Sequence, residues 1–390
     1  MALKVIYILN ATDIYGGATK AFISLMEGLR RKGVAPMVVV PNTEGIYNYL
    51  KENDIPVVQL NYRHSVYPPA ISLKDKLLFL PRLLGRIYLN HSASRKVQAL
   101  AKSFNADLIH TNTSVNDIGF RAAQKLHIPH IWHIREYAAR DFNYHYYPSR
   151  NVFLRKLKRR GSYSICITKD IQCYDNLAGW QGSRVIYDGV LSEKNIRQDK
   201  DKDTYLLFAG RLEENKGISD LLRAYAKYLT EVGSGALPLY VAGDTTDMQY
   251  KQALRELTRT LGVEEKIHFL GMRSDILELM SKARAVVVPS RSEGFGFISV
   301  ESMFSGALVI GRNESGLKEQ FDNGKELQGE EIALRYSTEK ELVARLVEVT
   351  EKDINEYMPM IIRGQQTVRQ LYSTEKSIDN IYNFYEDILK

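Results

Sequence analysis

Residues 289–306, Pro-Ser-Arg-Ser-Glu-Gly-Phe-Gly-Phe-Ile-Ser-Val-Glu-Ser-Met-Phe-Ser-Gly, decide how the rest of the chain is interpreted. The β-branched run before them, residues 283–288, predicts a buried strand, and the apolar spacing from Phe297 predicts the start of a helix. Between them lie Gly294 and Gly296, where the backbone can approach a ligand closely. A strand, a glycine loop and a helix start together indicate a phosphate-binding turn, because the first helical N–H groups are unpaired and carry partial positive charge.

Two carboxylates frame this loop, since Glu293 precedes it and Glu301 lies about one turn into the predicted helix. A carboxylate is a poor partner for phosphate but accepts hydrogen bonds from sugar hydroxyls. The stretch therefore indicates a site for a sugar beside a phosphate. Taken alone it is equally consistent with an ordinary surface loop, and the remainder of the chain has to decide between these interpretations.

Length and composition are those of a globular protein with two domains of ordinary size: 390 residues, 44% of them hydrophobic and 25% charged. No run of 18 apolar residues predicts a transmembrane helix. The first residues enter a predicted strand without the pattern of a signal peptide, so we expect a cytoplasmic protein. The two cysteines, Cys166 and Cys173, have no metal-ligand spacing, and we expect two buried thiols and no metal site.

Charge is unevenly distributed along the chain. Residues 1–195 contain 27 Lys and Arg against 14 Asp and Glu, whereas the remaining residues contain 26 against 32. A basic half beside an acidic half predicts different partners for the two. Because no nucleic-acid-binding motif is present, we expect no nucleic acid and instead an anionic membrane surface or a phosphorylated acceptor.

Strand and helix patterns alternate through residues 1–190, which predicts a doubly wound, mostly parallel sheet whose ligands bind at the carboxyl ends of the strands. Gly16 and Gly17 follow the first predicted strand and allow close backbone approach, although they do not form the G-x-G-x-x-G dinucleotide motif. The aromatic and polar segment 141–148 indicates either a mobile flap near an acceptor or a packed surface loop.

Residues 73–102 predict a helix with a broad apolar face and a basic character. Such a helix can lie in a membrane interface, but the same pattern occurs in helices that pack on a domain core, and both interpretations stay open. The basic run 155–160, Arg-Lys-Leu-Lys-Arg-Arg, adds some weight to a peripheral contact with an anionic membrane. The basic residues of the predicted helix are Arg82, Arg86, Arg95, Lys96 and Lys102.

Residues 191–204 predict a polar linker, and residues 205–365 repeat the strand and helix alternation of a second domain. The linker segment 199–203, Asp-Lys-Asp-Lys-Asp, could in principle hold a metal ion, but its lysines favour a solvated linker. After the first strand of the second domain come Arg211 and Lys216. Two fixed cations at a strand end and a helix start could neutralise a diphosphate without metal.

The stretches Ala-Gly-Arg-Leu-Glu-Glu-Asn-Lys-Gly (209–217) and Ser-Glu-Gly-Phe-Gly-Phe-Ile-Ser-Val-Glu-Ser-Met (292–303) resemble the paired signatures of family 4 glycosyltransferases. The resemblance covers nearly the whole chain. It includes Gly16 and Gly17, as the family's first glycine loop, and residues 185–190, where Asp188 stands at a position usually occupied by Asn. It implies the GT-B fold, with two facing doubly wound domains and an interdomain cleft, and a C-terminal helix, residues 366–390, that returns to the first domain.

The resemblance also implies roles for single residues. Arg211 and Lys216 would hold the diphosphate of the donor, and Glu301 would bind its ribose hydroxyls. Glu293 would face the donor sugar, which His133, in Ile-Trp-His-Ile-Arg-Glu, would reach from the first domain. The loop residues whose backbone would face the sugar are Gly294, Phe295, Gly296 and Phe297.

These expectations describe a retaining, metal-independent hexosyltransferase without a cofactor. Its donor would be a UDP- or GDP-sugar, and its acceptor a glycan or a polyprenyl-diphosphate-linked saccharide used for cell-surface polysaccharide or glycolipid. Fixed cations would stabilise the charge that develops on the departing diphosphate. Because no nucleophile for a covalent intermediate is evident, front-face displacement is favoured. A nucleotide-sugar epimerase on the same fold and a non-catalytic partner subunit are the alternatives.

Overall fold

A computed structural model of the chain describes residues 2–10, 12–13, 16–70, 72–197 and 202–390. The chain divides into two compact units. The first comprises Met1–Gly189 and Thr374–Lys390, and the second comprises Val190–Ser373.

The first unit contains a parallel sheet of seven strands in the order β3-β2-β1-β5-β6-β8-β9. A separate antiparallel pair joins β4 and β7. The strands of this unit are β1 (Leu3–Ile8), β2 (Val34–Val40), β3 (Val57–Gln59), β4 (Val66–Tyr67), β5 (Leu108–Thr111), β6 (His130–Ile134), β7 (His145–Tyr146), β8 (Ser162–Cys166) and β9 (Ser183–Val185).

Helices connect these strands, as parallel neighbours require. They are α1 (Gly17–Arg31), α2 (Ile46–Glu52), α3 (Leu73–Leu77), α4 (Phe79–Phe104), α5 (Ile118–Leu126), α6 (Ala138–Phe142), α7 (Arg150–Leu157) and α8 (Lys169–Tyr174). The last helix of the chain, which we number α16 (Thr374–Leu389), also belongs to this unit.

Two apolar clusters cover the two faces of this sheet, because its central strands are hydrophobic at successive positions. On one face, α1 and α16 pack together closely: the side chain of Ile378 fills the space over Gly28, where a Cβ atom would lie 1.9 Å from it. On the other face, Val97 of α4 and Ile118 of α5 are both fully buried.

The second unit contains a parallel sheet of six strands in the order β12-β11-β10-β13-β14-β15. Its strands are β10 (Leu206–Ala209), β11 (Leu239–Ala242), β12 (Ile267–Gly271), β13 (Ala285–Val288), β14 (Val309–Arg312) and β15 (Leu334–Tyr336). Its helices are α9 (Ile218–Val232), α10 (Met248–Thr260), α11 (Ile276–Lys282), α12 (Phe297–Phe304), α13 (Ser315–Gln328), α14 (Glu339–Glu351) and α15 (Met358–Leu371).

The second unit extends past residue 365, where the sequence predicted its end. Helix α15 stays in this unit because it packs on α12 and α13. Its Gly364 lies beside Met303 of α12, where a Cβ atom would be 3.4 Å from the Met303 side chain. The crossing to the first unit therefore occurs between Ser373 and Thr374.

Several local features differ from the sequence-based expectations. Residues 73–102 form two helices instead of one, and Pro81 lies in the first turn of α4, where a missing N–H costs no hydrogen bond. Cys166 is buried, but Cys173 is exposed on α8, so the expectation of two buried thiols is wrong for Cys173. Within the linker, residues 199–201 lie outside the described residues.

The segment 141–148 has the features of a packed loop. Strand β7 pairs with β4, so that Val66 lies opposite Tyr146. The ring of Tyr146 stacks on Phe153, with 4.6 Å between the ring centroids and 21° between their planes. A backbone hydrogen bond of 3.1 Å from Tyr144 to Ala138 fastens the segment to α6.

Among the basic residues of the run 155–160, Lys156 contributes to folding. Lys156 Nζ lies 2.6 Å from Asp117 Oδ2, and the Asp117 carboxylate is buried. Burial would raise the pKa of Asp117, but Lys156 and Arg121 outweigh burial and lower that pKa to about 2. Lys156 is therefore a partner of a buried carboxylate and is not available as a lipid contact.

Replacing Lys156 by methionine is expected to lower the free energy of unfolding by about 1–3 kcal/mol, because the buried carboxylate keeps fewer donors. The matched control is Arg155→Met, one residue earlier on the exposed side of α7, which should change stability by less than about 0.5 kcal/mol. Urea unfolding followed by circular dichroism measures both. Equal stability of the two variants would contradict a structural role for Lys156.

Candidate functional site

The two loops of the second unit that the sequence predicted to bind ligand lie at the switch point of its sheet, where the strand order reverses. In the order β12-β11-β10-β13-β14-β15, the strands run outward to either side from the neighbours β10 and β13. Ligands of open α/β sheets bind beside such a switch point, at the carboxyl ends of the strands. The loop after β10 contains residues 210–217, and the loop after β13 contains residues 289–296. Both predicted signatures therefore lie at the position where this fold binds ligands.

Two helices begin at this edge without a side-chain cap. Helix α9 starts after Gly217, whose φ is +72°, and α12 starts after Gly296, whose φ is +96°. Both backbone conformations favour glycine. A Cβ atom on Gly217 would lie 2.1 Å from the carbonyl oxygen of Pro289, so only glycine lets the two loops touch there. The first-turn N–H groups of both helices contribute partial positive charge to this edge.

Lys216 and Glu293 are brought together by these loops. Lys216 Nζ donates a hydrogen bond of 2.6 Å to Glu293 Oε1, and the two side chains are only 20% and 14% exposed. Lys216 ends a 3-10 turn, Glu214–Lys216, directly before Gly217. The pair thus places one cation and one carboxylate side by side between two helix starts.

Arg211 is placed differently from Lys216. Its guanidinium pairs with Glu213, with NH1 2.8 Å from Oε1, and its side chain is 71% exposed. A ligand at this edge would have to draw Arg211 away from Glu213. The two predicted cations therefore differ, since Lys216 is held in place and Arg211 is at the surface.

Phe295 and Glu301 occupy the second loop and the helix after it. Phe295 is buried, and its ring meets the Phe297 ring edge to face at 5.4 Å. Gln320 of α13 fixes the backbone here by donating to the carbonyl oxygens of Phe295, at 2.6 Å, and Gly296, at 3.1 Å. Glu301 is half-buried on α12. Packing against α13 thus holds the glycine loop in one conformation.

A cavity of about 260 Å³ opens at the same edge, beside the ends of β10, β11 and β12. Its lining includes Leu212, Gly243 and Phe269, together with the ion pair of Asp244 and Lys251 at 2.7 Å. This cavity was not among the features predicted from the sequence. The sequence feature that could have indicated it is Gly243-Asp244, which lies directly after the apolar pattern of β11 at a strand end.

In the first unit, the switch point lies between β1 and β5. Gly16 precedes α1 without a side-chain cap, and a Cβ atom there would meet Asp13 and Thr19 at ordinary contact distances of 3.5–3.9 Å. The carbonyl of Gly16 accepts from the N–H groups of Thr19 and Lys20. Helix α1 thus begins with Gly17 as its first residue, and the close backbone approach of a ligand at Gly16 and Gly17 stays a prediction.

His133 is fully buried at the end of β6. Its Nδ1 lies 3.1 Å from Nε2 of His110, whose Nδ1 lies 2.5 Å from the hydroxyl of Tyr385 on α16. Burial lowers the pKa of both histidines well below the usual value, and Arg135 lowers both further. Both imidazoles are therefore neutral at pH 7. Arg135 NH2, which can only donate, lies 3.5 Å from His133 Nδ1, so Nδ1 can accept and the proton of His133 can lie on Nε2.

His133 Nε2 has no hydrogen-bond partner among the described residues, although Asp188 Oδ1 lies 3.7 Å away. Asp188 instead pairs with Arg135, and both side chains are buried. Burial raises the pKa of Asp188, and Arg135 opposes that change. A charged Asp188 can therefore be buried at a position where the family usually has Asn, because the Arg135 guanidinium balances the charge of the carboxylate.

Glu136 is a polar residue at this edge that sequence reasoning missed. Its Oε1 accepts three hydrogen bonds of 2.7–2.8 Å, from the hydroxyl of Thr113 and from the backbone N–H and hydroxyl of Ser114. A further polar contact of the first unit joins the Asn10 amide to Nε2 of His64 at 2.9 Å. The available signal was Asn10 directly after the first predicted strand and Glu136 three residues after His133.

Helices α3 and α4 carry a second candidate surface, which we call the apolar ridge. Its members are at least 36% exposed, whereas Leu83 is the one buried residue of the segment 72–89. The apolar ridge consists of Leu73, Leu77, Leu78, Leu80, Leu84, Ile87 and Tyr88. Lys74, Lys76 and Arg82 lie along it. Several exposed apolar side chains on neighbouring helical turns are typical of a contact site for a partner or a membrane.

Two parallel sheets, one in each unit and each with a switch point in its strand order, define a protein of the α/β class. Residues 192–366 match the family Glycosyl transferases group 1, and residues 15–191 match Glycosyltransferase Family 4. The chain therefore belongs to the family 4 glycosyltransferases, as its paired signatures predicted.

A solved structure and two curated relatives are similar to this chain. Anabaena HepE, in complex with UDP, aligns with a TM-score of 0.78 at 20% identity over 99% of this chain and all of that one. This likeness confirms the predicted GT-B fold class. The N-acetyl-alpha-D-glucosaminyl L-malate synthase of Bacillus anthracis is 23% identical over 190 residues, which are 49% of this chain and 47% of that protein.

The second relative is a Campylobacter jejuni transferase, the N-acetylgalactosamine-N,N'-diacetylbacillosaminyl-diphospho-undecaprenol 4-alpha-N-acetylgalactosaminyltransferase. It is 30% identical over 142 residues, which are 35% of this chain and 37% of that protein. This chain thus spans less than half the length of both curated relatives.

Proposed function

We propose that this protein is a retaining hexosyltransferase that moves a sugar from a nucleotide-diphosphate sugar to a glycan or polyprenyl-diphosphate-linked acceptor. The observation that carries the proposal is the pair of Lys216 and Glu293, 2.6 Å apart between two uncapped helix starts. The lysine cation and the backbone amides of the helix starts can bind a diphosphate, and the carboxylate can accept hydrogen bonds from sugar hydroxyls. Family membership adds support for glycosyl transfer in general.

In this proposal, Lys216 and Arg211 bind the diphosphate, and Glu301 binds the ribose hydroxyls. Glu293 and the backbone of residues 294–297 bind the donor sugar. As the sugar–phosphate bond breaks, negative charge grows on the diphosphate, and Lys216 and the start of α12 stabilise that charge. The departing phosphate takes the proton of the acceptor hydroxyl, which attacks from the same face and so retains the anomeric configuration.

His133 keeps its proposed role toward the donor sugar as a neutral hydrogen-bond donor. Its Nε2 is the free position of the imidazole, because Nδ1 faces His110. A neutral imidazole can donate to a sugar hydroxyl without adding a charge to the site. The start of α1, with Gly16 and Gly17, is proposed to receive the donor by its backbone.

The proposed acceptor and location rest on the first unit. Its apolar ridge and excess of basic residues suit a protein that contacts the cytoplasmic face of an anionic membrane, where a lipid-linked acceptor is found. Among the described residues, no helix is long and apolar enough to cross a membrane. Synthesis of a cell-surface polysaccharide or glycolipid is the role that we propose.

Mass spectrometry after incubation with a panel of UDP- and GDP-sugars and acceptors tests this function. UDP-sugars come first because HepE was crystallised with UDP. The expected result is an acceptor that gains one hexose and a released nucleoside diphosphate, with NMR coupling constants that report retention. Conversion of the donor to an isomer without an acceptor would support the epimerase alternative, and no reaction together with no nucleotide binding would support a non-catalytic subunit.

Excess EDTA is expected to leave the transfer rate unchanged within about twofold, because Lys216 and helix starts supply the neutralising charge. Among the described residues, no group of three or more His, Cys, Asp or Glu could hold a metal ion. The rate is measured with and without EDTA, and then after addition of Mg²⁺ or Mn²⁺. A loss that either ion restores would contradict metal independence and direct attention to Asp199 and Asp201.

Replacing Glu293 by glutamine is expected to slow turnover at least tenfold while UDP binds about three- to tenfold more tightly. Turnover falls because the sugar loses a charged partner. UDP affinity rises because Lys216 no longer shares its charge with a carboxylate. Calorimetric titration with UDP and the transfer assay measure the two effects. Glu264→Gln, which alters a surface ion pair with Arg259, is the control, and weaker UDP binding by Glu293→Gln would contradict the assignment.

A further inference from the structure

The two loops that carry Lys216 and Glu293 are joined by more than that ion pair. The backbone N–H of Arg291 donates to the carbonyl of Asn215 at 2.9 Å. Gly217 lies directly against the carbonyl of Pro289. The loops after β10 and β13 therefore form one layer, and a shift of either loop would change the distance between Lys216 and Glu293.

Asp220 is the side chain that connects these two loops. It occupies the first turn of α9, four residues after Lys216, where a negative charge is favoured by the helix dipole. Arg291 binds it with two hydrogen bonds, from Nε to Oδ2 at 2.9 Å and from NH2 to Oδ1 at 2.6 Å. Arg291 lies two residues before Glu293, so this bidentate pair links the two loops.

A second arginine reaches the same carboxylate from the next strand. Arg312, the last residue of β14, donates from NH2 to Asp220 Oδ2 at 2.7 Å and from Nε to the carbonyl of Pro289 at 3.2 Å. The side chains of Asp220 and Arg312 are 24% and 18% exposed, so solvent screens this contact only in part. The hydrogen bonds of Arg291 and then the charge of Arg312 lower the pKa of Asp220, which is ionised at neutral pH.

We propose that Asp220, through Arg291 and Arg312, is the positioning residue that sets the distance between Lys216 and Glu293. This inference rests on the proposed function, because it assigns Lys216 and Glu293 to the donor. None of the three residues has a proposed contact with the substrate. They act by holding the loop after β13 against the start of α9. A displacement of about 1 Å at reacting groups can cost about a hundredfold in rate, so a small loosening would be seen in turnover.

Positioning makes a different prediction from charge stabilisation. The Asp220 carboxylate is bound by two guanidinium groups, so its removal changes the local net charge toward positive. By charge alone, Asp220→Asn would strengthen the binding of a nucleoside diphosphate. If Asp220 instead acts by positioning the two loops, Asp220→Asn lowers turnover and leaves nucleotide affinity nearly unaltered. Turnover and affinity therefore separate the two explanations.

The experiment compares Asp220→Asn and Arg291→Met with wild type, using UDP for affinity and, for turnover, the nucleotide sugar that the wild type cleaves. We expect kcat to fall 10- to 100-fold in both variants, with the dissociation constant of UDP within threefold of wild type. Arg291→Lys, which keeps the charge but not the bidentate geometry, should give an intermediate kcat. Arg259→Met and Glu264→Gln, which remove a surface ion pair on another helix of the same unit, are the matched controls.

A double-mutant cycle with Glu293→Gln completes the test. If Asp220 acts through the Lys216–Glu293 geometry, adding Asp220→Asn to Glu293→Gln should cost less than threefold more in kcat. Fully additive losses, or wild-type kcat in Asp220→Asn, would overturn the inference. If Asp220→Asn does not fold, Arg291→Met and Arg291→Lys decide in the same way, since Arg312 still binds Asp220 in both. Absence of nucleotide binding and cleavage by wild type would instead refute the proposed function.

Discussion

Replacing Lys216 by methionine is expected to lower the rate of sugar transfer at saturating donor by about 10²–10³-fold. The physical reason is that its charge acts mainly on the diphosphate as the sugar–phosphate bond breaks, so the transition state loses more than the bound donor does. The surroundings increase this effect, because the Lys216 side chain is only 20% exposed and Glu293 holds it in place.

Steady-state kinetics with the donor in excess measure the change, and circular dichroism establishes that the variant folds. Lys227→Met is the matched control, because Lys227 lies on the exposed side of α9 and its partner is Glu339. Arg211→Met should have a smaller effect, about 10- to 100-fold, since Arg211 is exposed and already paired with Glu213. Transfer by Lys216→Met at more than a third of the wild-type rate would refute its role toward the diphosphate.

Removing the apolar ridge is expected to abolish binding to anionic vesicles. The test variant changes Leu77, Leu80, Leu84 and Tyr88 to serine, which removes four exposed apolar side chains from one face. Burying a leucine side chain contributes about 1.5–3 kcal/mol, and each basic residue near an anionic bilayer adds about 1 kcal/mol. Together they would supply several kcal/mol, enough to hold the protein at a membrane.

Flotation with vesicles of anionic and of neutral lipid measures this binding at low and high salt. A second variant, Lys74, Lys76 and Arg82 to glutamine, should weaken binding mainly at low salt, because salt screens its contribution. Lys156 is left unchanged, because its substitution would remove a partner of the buried Asp117 carboxylate and so change the stability of the folded protein. The control changes Met248, Leu327 and Ile362, which are exposed in the second unit, to serine.

Equal flotation of wild type and the serine variant would contradict a lipid contact. In that case sedimentation decides whether the apolar ridge joins two copies of the chain. A wild-type dimer that the serine variant loses would identify the ridge as a protein interface. Neither outcome should alter transfer to a short water-soluble acceptor, because the residues proposed to bind the donor diphosphate lie in the second unit.

Much of the fold follows from patterns that act over a few residues. The β-branched run before Pro289 and the apolar spacing after Gly296 are local, and β13 and α12 form where these patterns predicted them. Elements with weaker periodicity were missed, among them α13 and the three-residue strand β15, because neighbouring elements stabilise them. The split between α3 and α4 at Leu78 was also beyond local reasoning.

The sequence by itself determined the fold class, the family and the loops at the two switch points, since strand and helix periodicity and glycine positions depend on neighbouring residues. Only the tertiary structure decided how charges pair. Glu293 faces Lys216, 77 positions earlier, Asp220 binds Arg291, 71 positions later, and His110 meets Tyr385 across 275 positions. Such contacts depend on the packing of segments that are distant in sequence, and so does the exposure of each side chain to solvent. The pattern of residues 73–102 suits a core helix as well as a surface one, and the absence of a packed neighbour over the apolar ridge among the described residues distinguishes the two.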